Sequence, residues 1–277
     1  MKTLSFTNKN NVVVVGSLRC RIADFADDIV SKCHNTILIC LGNAGLGRGH
    51  RSIQDMEIDY LERICQQNDN VVCIIRGSFD NPLYFKEDSR KKYLKGLDDY
   101  LKNIFFVDDY DVIATSKGNI LCIGGGCDPY LPEGRSFTDP SFTVAEGAPN
   151  SGLWFKGQEI SRVNLIPAFE KASEDADDDS VVDTNPFNIW IKSSKPSMIV
   201  SSLPPSSVCT FLKKPEGVNP RVYEEANFLD GLYDYFLGNG INIKHWYWSA
   251  DVLETSEIEY GGTKFKGINH YEKKEIA

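Results

Sequence analysis

The sequence predicts an α/β protein built on a right-handed parallel sheet, and three observations predict it. Continuous β-branched runs, NVVVV at 11–15, TILICL at 36–41 and VVCII at 71–75, alternate with segments whose apolar residues recur at helical spacing. Strands joined by crossover helices pair in parallel and wind right-handedly. The runs show no polar–apolar alternation, the pattern of strands covered on both faces. Each run stops at a polar, Gly-containing turn: Gly16-Ser17-Leu18-Arg19-Cys20, Gly42-Asn43-Ala44-Gly45-Leu46-Gly47 and Arg76-Gly77-Ser78-Phe79-Asp80-Asn81-Pro82. In open parallel sheets, ligand chemistry sits on such carboxyl-end turns.

The elements follow in order. Residues 21–33 place Ile22, Phe25, Ala26, Ile29 and Val30 on one helical stripe, and 53–67 place Ile53, Met56, Tyr60, Leu61 and Ile64 on another. Residues 86–102 are charged and helical in pattern; 103–107, 110–114 and 119–123 read as short strands. The last breaks on Gly124-Gly125-Gly126, a turn rather than a nucleotide loop, because it lacks GxGxxG spacing and a following helix. Residues 127–152, rich in Pro, Gly and Ser, read as loop, and 154–168 as room for one helix. The acidic run SEDADDDS at 173–180 lacks the Gly and closing Glu of an EF-hand loop and reads as a solvated loop. SMIVS at 197–201 is a buried strand entering Ser202-Leu203-Pro204-Pro205. Residues 224–237 form an apolar-striped helix ended by Gly238, and INIKHWYW at 241–248 a strand. Trp246, Tyr247 and Trp248 alternate faces on it, so at least one ring is expected exposed or at an interface. Residues 252–260 and 262–268 make a hairpin on Gly261-Gly262. The whole, 1–277, reads as one domain with loop or insertion regions near 127–152 and 170–186.

Composition bounds the function. Hydrophobic residues at 42% and charged residues at 25% are globular values, and the formal net charge of −9 disfavours a general nucleic-acid binder. Eight cysteines without a CxxC pair, with Cys40, Cys65, Cys73 and Cys122 in or beside apolar runs, read as free thiols of a reducing compartment. The start MKTLSFTNKNN is too polar for a secretory signal, and no apolar run approaches the roughly 20 residues of a membrane span. The expectation is a cytoplasmic protein without membrane contact, or one packaged from the cytoplasm into an assembly such as a virion.

The third turn, Arg76-Gly77-Ser78-Phe79-Asp80-Asn81-Pro82, resembles the R-G-N-H-D-N-P turn of the calcineurin-like metallophosphoesterases. Arg76, Gly77, Asp80, Asn81 and Pro82 keep the frame; Ser78 stands at a metal-binding Asn and Phe79 at the catalytic His. The other turns resemble the family in the same way. Against G-D-x-H-G the chain has Ser17 for Asp and Arg19 for His; against G-D-x-G-L-G it has Asn43 for the bridging Asp. Against T-H-x-x-P it has Ser202 for His, and after W-Y it has Ala250 and Val252 at the two His positions of G-H-x-H. The segment GGTKFKGINHYE resembles the family's N-G-T-K-F tail, so the likeness spans residues 12–272.

The resemblance implies a two-sheet αββα sandwich. In the active family two metal ions about 4 Å apart clamp phosphate and supply hydroxide. Here all seven ligand positions differ, Ser, Ala, Val and Phe are poor or null ligands, and Arg19 repels a cation. The resemblance therefore implies a degenerate member: no metal, no cofactor, and a pseudoenzyme serving as a structural, scaffold or protein-interaction component. The likeness of the GLG-type second turn to bacterial and bacteriophage members suggests such an assembly. Partner contacts, or self-association, would fall on 127–152 and the acidic run.

Two alternatives stand beside it. Arg19 and Arg76, with Arg48 and His50 and with Arg21 and Arg51 nearby, could hold a phosphate-like anion or nucleotide without metal. Against this, Arg19 and Arg76 could merely pair with Asp80 and Asp24. A residual metal-dependent phosphoesterase would need relocated ligands such as Asp80, Asp251 and His50. The four histidines are otherwise scattered: His34 and His270 carry no pattern, His50 reads as a surface residue, and His245 as a packed or edge residue.

Overall fold

The computed structural model describes residues 1–126, 159–163, 185–212, 221–250 and 256–276. The predicted loop 127–152, the segment 154–168 apart from 159–163, the acidic run, and Asp251 with Val252 lie outside them. The described strands are β1 (Thr3–Ser5), β2 (Asn11–Val15), β3 (Thr36–Cys40), β4 (Val71–Ile75), β5 (Ile104–Val107), β6 (Val112–Thr115), β7 (Gly118–Ile123), β8 (Met198–Ser201), β9 (His245–Ser249), β10 (Glu257–Tyr260), β11 (Thr263–Ile268) and β12 (Lys273–Glu275). The helices are α1 (Ile22–Asp28), α2 (Arg51–Gln67), α3 (Glu87–Tyr93), α4 (Leu97–Tyr100), α5 (Pro186–Ser194), α6 (Ser206–Cys209) and α7 (Arg221–Gly238).

Two sheets form. One has the order β12-β2-β3-β4-β5, parallel except for β12, and confirms the predicted parallel succession. The other has the order β1-β6-β7-β8-β9-β11-β10. Within it β7, β8, β9 and β11 run parallel, and the β10–β11 hairpin turns on Gly261-Gly262 as predicted.

The apolar runs explain the layering. Alternate residues of β2, β3 and β4 go to opposite faces. Val12, Val14, Ile37, Ile39, Cys73 and Ile75 meet Ile113, Ile120, Cys122, Met198, Val200 and Tyr247 of the other sheet in one buried cluster. Val13, Val15, Leu38, Cys40, Val72 and Ile74 pack outward with Phe25 of α1 and Ile58, Leu61 and Cys65 of α2. On the far side α5, α6 and α7 cover the seven-stranded sheet through Ile191, Val208, Leu229, Tyr233 and Phe236. Both faces of each sheet are thus dry at the centre, which is why these strands carry no polar alternation.

Several local expectations are corrected. The helix at 21–33 ends at Asp28; Ile29 has a φ of −119° and a single tight turn, Val30–Lys32, completes the segment. Gly96, at φ +86°, separates α3 from α4, so 86–102 is not one helix. On α2 the predicted stripe is rotated: Ile53 and Met56 are 55% and 71% exposed. Gln54 and Glu62 are buried beside Ile58, Leu61 and Cys65 instead, each meeting the backbone of a neighbouring loop. Trp246, Tyr247 and Trp248 are all buried, against the expectation of an exposed ring. β9 lies between β8 and β11, with helices over the tryptophans and the second sheet over Tyr247.

The layering and the face of α2 are tested together by Ile39→Ala and Met56→Ala under urea denaturation. Ile39→Ala is expected to lose about 2–5 kcal/mol, as for an aliphatic side chain deleted from a closed core. Met56→Ala is expected to stay within about 0.5 kcal/mol of the parent. Comparable losses would contradict the assignment of faces.

Candidate functional site

The turns that follow β2, β3 and β4 join at the carboxyl end of the five-stranded sheet. Leu18 N–H donates to Gly42 O at 3.1 Å and Cys20 N–H to Asn43 O at 2.9 Å, tying the first turn to the second. Arg19 and Cys20 both sit at positive φ, +43° and +60°, which brings the chain round within two residues. The second and third turns touch by backbone: a Cβ on Gly42 would lie 2.6 Å from Gly77 Cα. Glycine is required there because no side chain fits.

Asp80 holds this contact. Its Oδ1 accepts from Gly45 N–H at 2.8 Å and Leu46 N–H at 3.2 Å, and its Oδ2 from Gly77 N–H at 2.8 Å. The carboxyl is fully buried, and burial pushes its pKa up to about 6 against the opposing pull of those amides and the Arg48 charge. Gln54 supports the second turn from α2, accepting from Gly47 N–H at 2.8 Å and donating to Gly45 O at 2.5 Å.

Several of the positions compared with metal ligands have structural partners. Ser17 is fully buried, and its carbonyl accepts from His270 Nδ1 at 2.8 Å. Asn43 adopts φ +55°, and its side-chain oxygen accepts from Phe79 N–H at 3.1 Å and Ser78 Oγ–H at 3.4 Å. Phe79 lies under Arg48: the guanidinium carbon is 4.5 Å from the ring centroid and Arg48 Nε–H donates to Phe79 O at 2.8 Å. Ser202 follows β8, its hydroxyl buried without a hydrogen bond among the described residues and 3.0 Å from where a Cβ on Gly126 would sit. Ala250 N–H donates to Ile268 O at 3.0 Å; Val252 and Asp251 lie outside the described residues.

The cations are dispersed. Arg19 and His50 are exposed. Arg76 is 3% exposed and pairs with Asp109 at 2.5 Å, while also donating to Glu159 O at 3.0 Å. Ser161 Oγ–H donates to the same carboxylate oxygen at 2.5 Å. Arg21 pairs with Asp24, and Asp80 accepts from three backbone amides. The ion pairs seen at these turns are Arg76–Asp109 and Arg21–Asp24. Asp109 was not singled out by sequence; an Asp-Asp pair directly after a buried strand was the available signal. Arg51 faces Asp55 at 3.4 Å on α2.

A two-metal centre needs carboxylate, imidazole or amide donors aimed at a shared space. Ser17, Arg19, Phe79 and Ala250 present none, and the Asn43 oxygen already accepts two hydrogen bonds. No group of three or more His, Cys, Asp or Glu among the described residues is arranged to hold a metal ion. The described residues at these positions do not fit a metal pair of that kind.

No protein-family profile matches the chain, and no curated protein matches it. Among solved structures it is similar to a protein serine/threonine phosphatase from Saccharomyces cerevisiae with similarity to human phosphatase PP5. The identity is 15%, over 73% of this chain and 64% of that one, with a TM-score of 0.29. The chain thus spans less than two thirds of that phosphatase's length.

The buried Arg76–Asp109 pair is tested by a double-variant cycle in urea. Arg76→Met alone is expected to cost about 3–5 kcal/mol, because it strands the Asp109 charge. Arg76→Met with Asp109→Leu is expected to recover more than half of that loss; additive losses would contradict the pair.

Asp80 gives a pH test. Its folded pKa of about 6 lies above the unfolded value of about 3.9, so the folded chain holds the extra proton between them. Stability relative to Asp80→Asn is expected to fall as pH rises from about 4 to about 6, by at most about 1.4 kcal/mol per pH unit, and then to level off. Urea titrations of both proteins across pH 4–7.5 check it; a parallel pair of curves would refute the raised pKa.

Proposed function

We propose that this chain is a catalytically inactive protein on a calcineurin-like metallophosphoesterase scaffold, acting as a structural, scaffold or protein-interaction component. One observation carries the reading. The second and third turns keep the family's glycines and the Asp80-Asn81-Pro82 frame, while the ligand-position side chain of Asn43 serves the turns themselves, accepting from Phe79 N–H and Ser78. A helix–sheet–sheet–helix order supports the sandwich type that the turns imply.

The alternatives draw less support. An anion site built on Arg76 meets a guanidinium already buried against Asp109. Residual metal chemistry through Asp80 meets a carboxylate surrounded by three backbone N–H donors, with His50 exposed at the start of α2.

Metal content and hydrolysis of a chromogenic phosphodiester, with and without added manganese, test the reading on one purified sample. The expected result is substoichiometric metal and no turnover above the protein-free blank. Tightly bound metal with manganese-dependent turnover that Asp80→Asn abolishes would overturn it.

A further inference from the structure

The two sheets differ in width, and the difference opens a cleft. The five-stranded sheet ends at β12, whereas the inner face of the seven-stranded sheet continues over β9, β11 and β10. On that face Lys264 and Lys266 stand opposite His245 and Tyr247 across the β9–β11 pairing, while Phe265 and the tryptophans point to the helices. From the other sheet Lys274, opposite Val14 on β12, points into the same space, because Val14 belongs to the cluster between the sheets. These side chains line a cleft of about 210 Å³.

Its charge is unusual for a chain of net charge −9. Lys266 lies 3.9 Å from Glu257, which stands opposite it on β10. Lys264 and Lys274 have no acidic partner at ion-pair distance among the described residues. Glu275, exposed on β12, is the remaining acid at the rim. His245 is half-buried and stacks on Tyr247, ring centroids 5.9 Å apart and planes within 8°, which fixes the imidazole at the cleft wall. Its pKa is held below the usual histidine value by burial first and then by Lys264, Lys274 and Lys244, against Glu257. Three ammonium groups therefore bear on one imidazole, a field that an anion would relieve.

We propose that this cleft binds a small phosphorylated molecule, with Lys264 and Lys274 contacting the phosphate oxygens from opposite sheets and His245 donating from the wall. Ammonium groups approaching from two directions hold phosphate as point charges without demanding planar geometry. The volume suits a phosphate or diphosphate group with a small remainder, below the size of drug-sized ligand pockets. The site is separate from the turns: Lys264 and His245 lie at the amino-terminal ends of β11 and β9, whereas the turns lie at carboxyl ends.

Inorganic pyrophosphate is the probe, titrated calorimetrically at constant ionic strength, with His245 ring protons followed by NMR. The parent is expected to bind with one site and a shift of the His245 resonances. Lys264→Gln with Lys274→Gln is expected to weaken binding at least tenfold. Lys32→Gln with Lys102→Gln, the same charge change elsewhere, is expected to alter it less than twofold, as is Arg19→Ala. Absence of heat and of a His245 shift at millimolar pyrophosphate would overturn the proposal. So would equal losses in both lysine pairs, or loss confined to Arg19→Ala, which would place the anion at the turns. Retained circular dichroism and an unchanged melting transition without ligand establish that the lysine variants are folded.

Discussion

The carboxylate of Asp80 is the fixture on which the carboxyl end of the molecule depends. Tight turns leave backbone N–H groups without partners, and a buried unsatisfied amide costs about 1–3 kcal/mol. Gly45, Leu46 and Gly77 all direct their N–H groups at Asp80. One side chain therefore satisfies two turns and fixes their distance. The first turn hooks onto the second through Gly42 O and Asn43 O, and Gly125 N–H donates to Arg76 O at 2.6 Å, bringing the turn after β7 onto the third. The close passage of Gly42 over Gly77 is possible only because neither residue carries a Cβ.

At this end of the molecule the polar side chains are engaged with each other. Asn43 accepts from Phe79 N–H and Ser78, Arg48 lies over the Phe79 ring, and Arg76 closes on Asp109 with Ser161 behind it. Low dielectric strengthens each of these contacts and raises the cost of breaking one to admit a ligand. The wide sheet's overhang creates the opposite condition at the side of the molecule. There the inner face loses its apolar cover, its residues become Lys264, Lys266 and His245, and cations from two sheets face one space.

Much of this was legible in the chain. Both-face burial of β2, β3 and β4 follows from runs without polar–apolar alternation, and the turns follow from glycines at their ends. The residue types of Ser17, Arg19, Asn43, Ser78, Phe79, Ser202 and Ala250 are visible in the sequence alone. The partners of those residues were not. Asp109 is 33 residues from Arg76 in sequence and Asp80 is 35 from Gly45, separations that local spacing does not report. The stripe of α2 differs from its hydrophobic pattern because Gln54 and Glu62 are buried for their hydrogen bonds to loop backbone, which hydrophobicity does not register. The short edge strands β1 and β12, TLS and KKE, carry no strand pattern and exist because a neighbouring edge offers them hydrogen bonds.

By itself the sequence determined the class of the fold, the order of its strands and turns, and the chemical character of each turn position. These depend on side-chain type and on spacing within a few residues, where periodicity and glycine stereochemistry act. Only the tertiary structure decided which charges pair, that all three rings of Trp246-Tyr247-Trp248 are buried, and that Lys264 and Lys274 meet across a cleft. Those outcomes depend on how far one sheet extends beyond the other and on which surfaces lose water, and both are set by contacts between segments far apart in the chain.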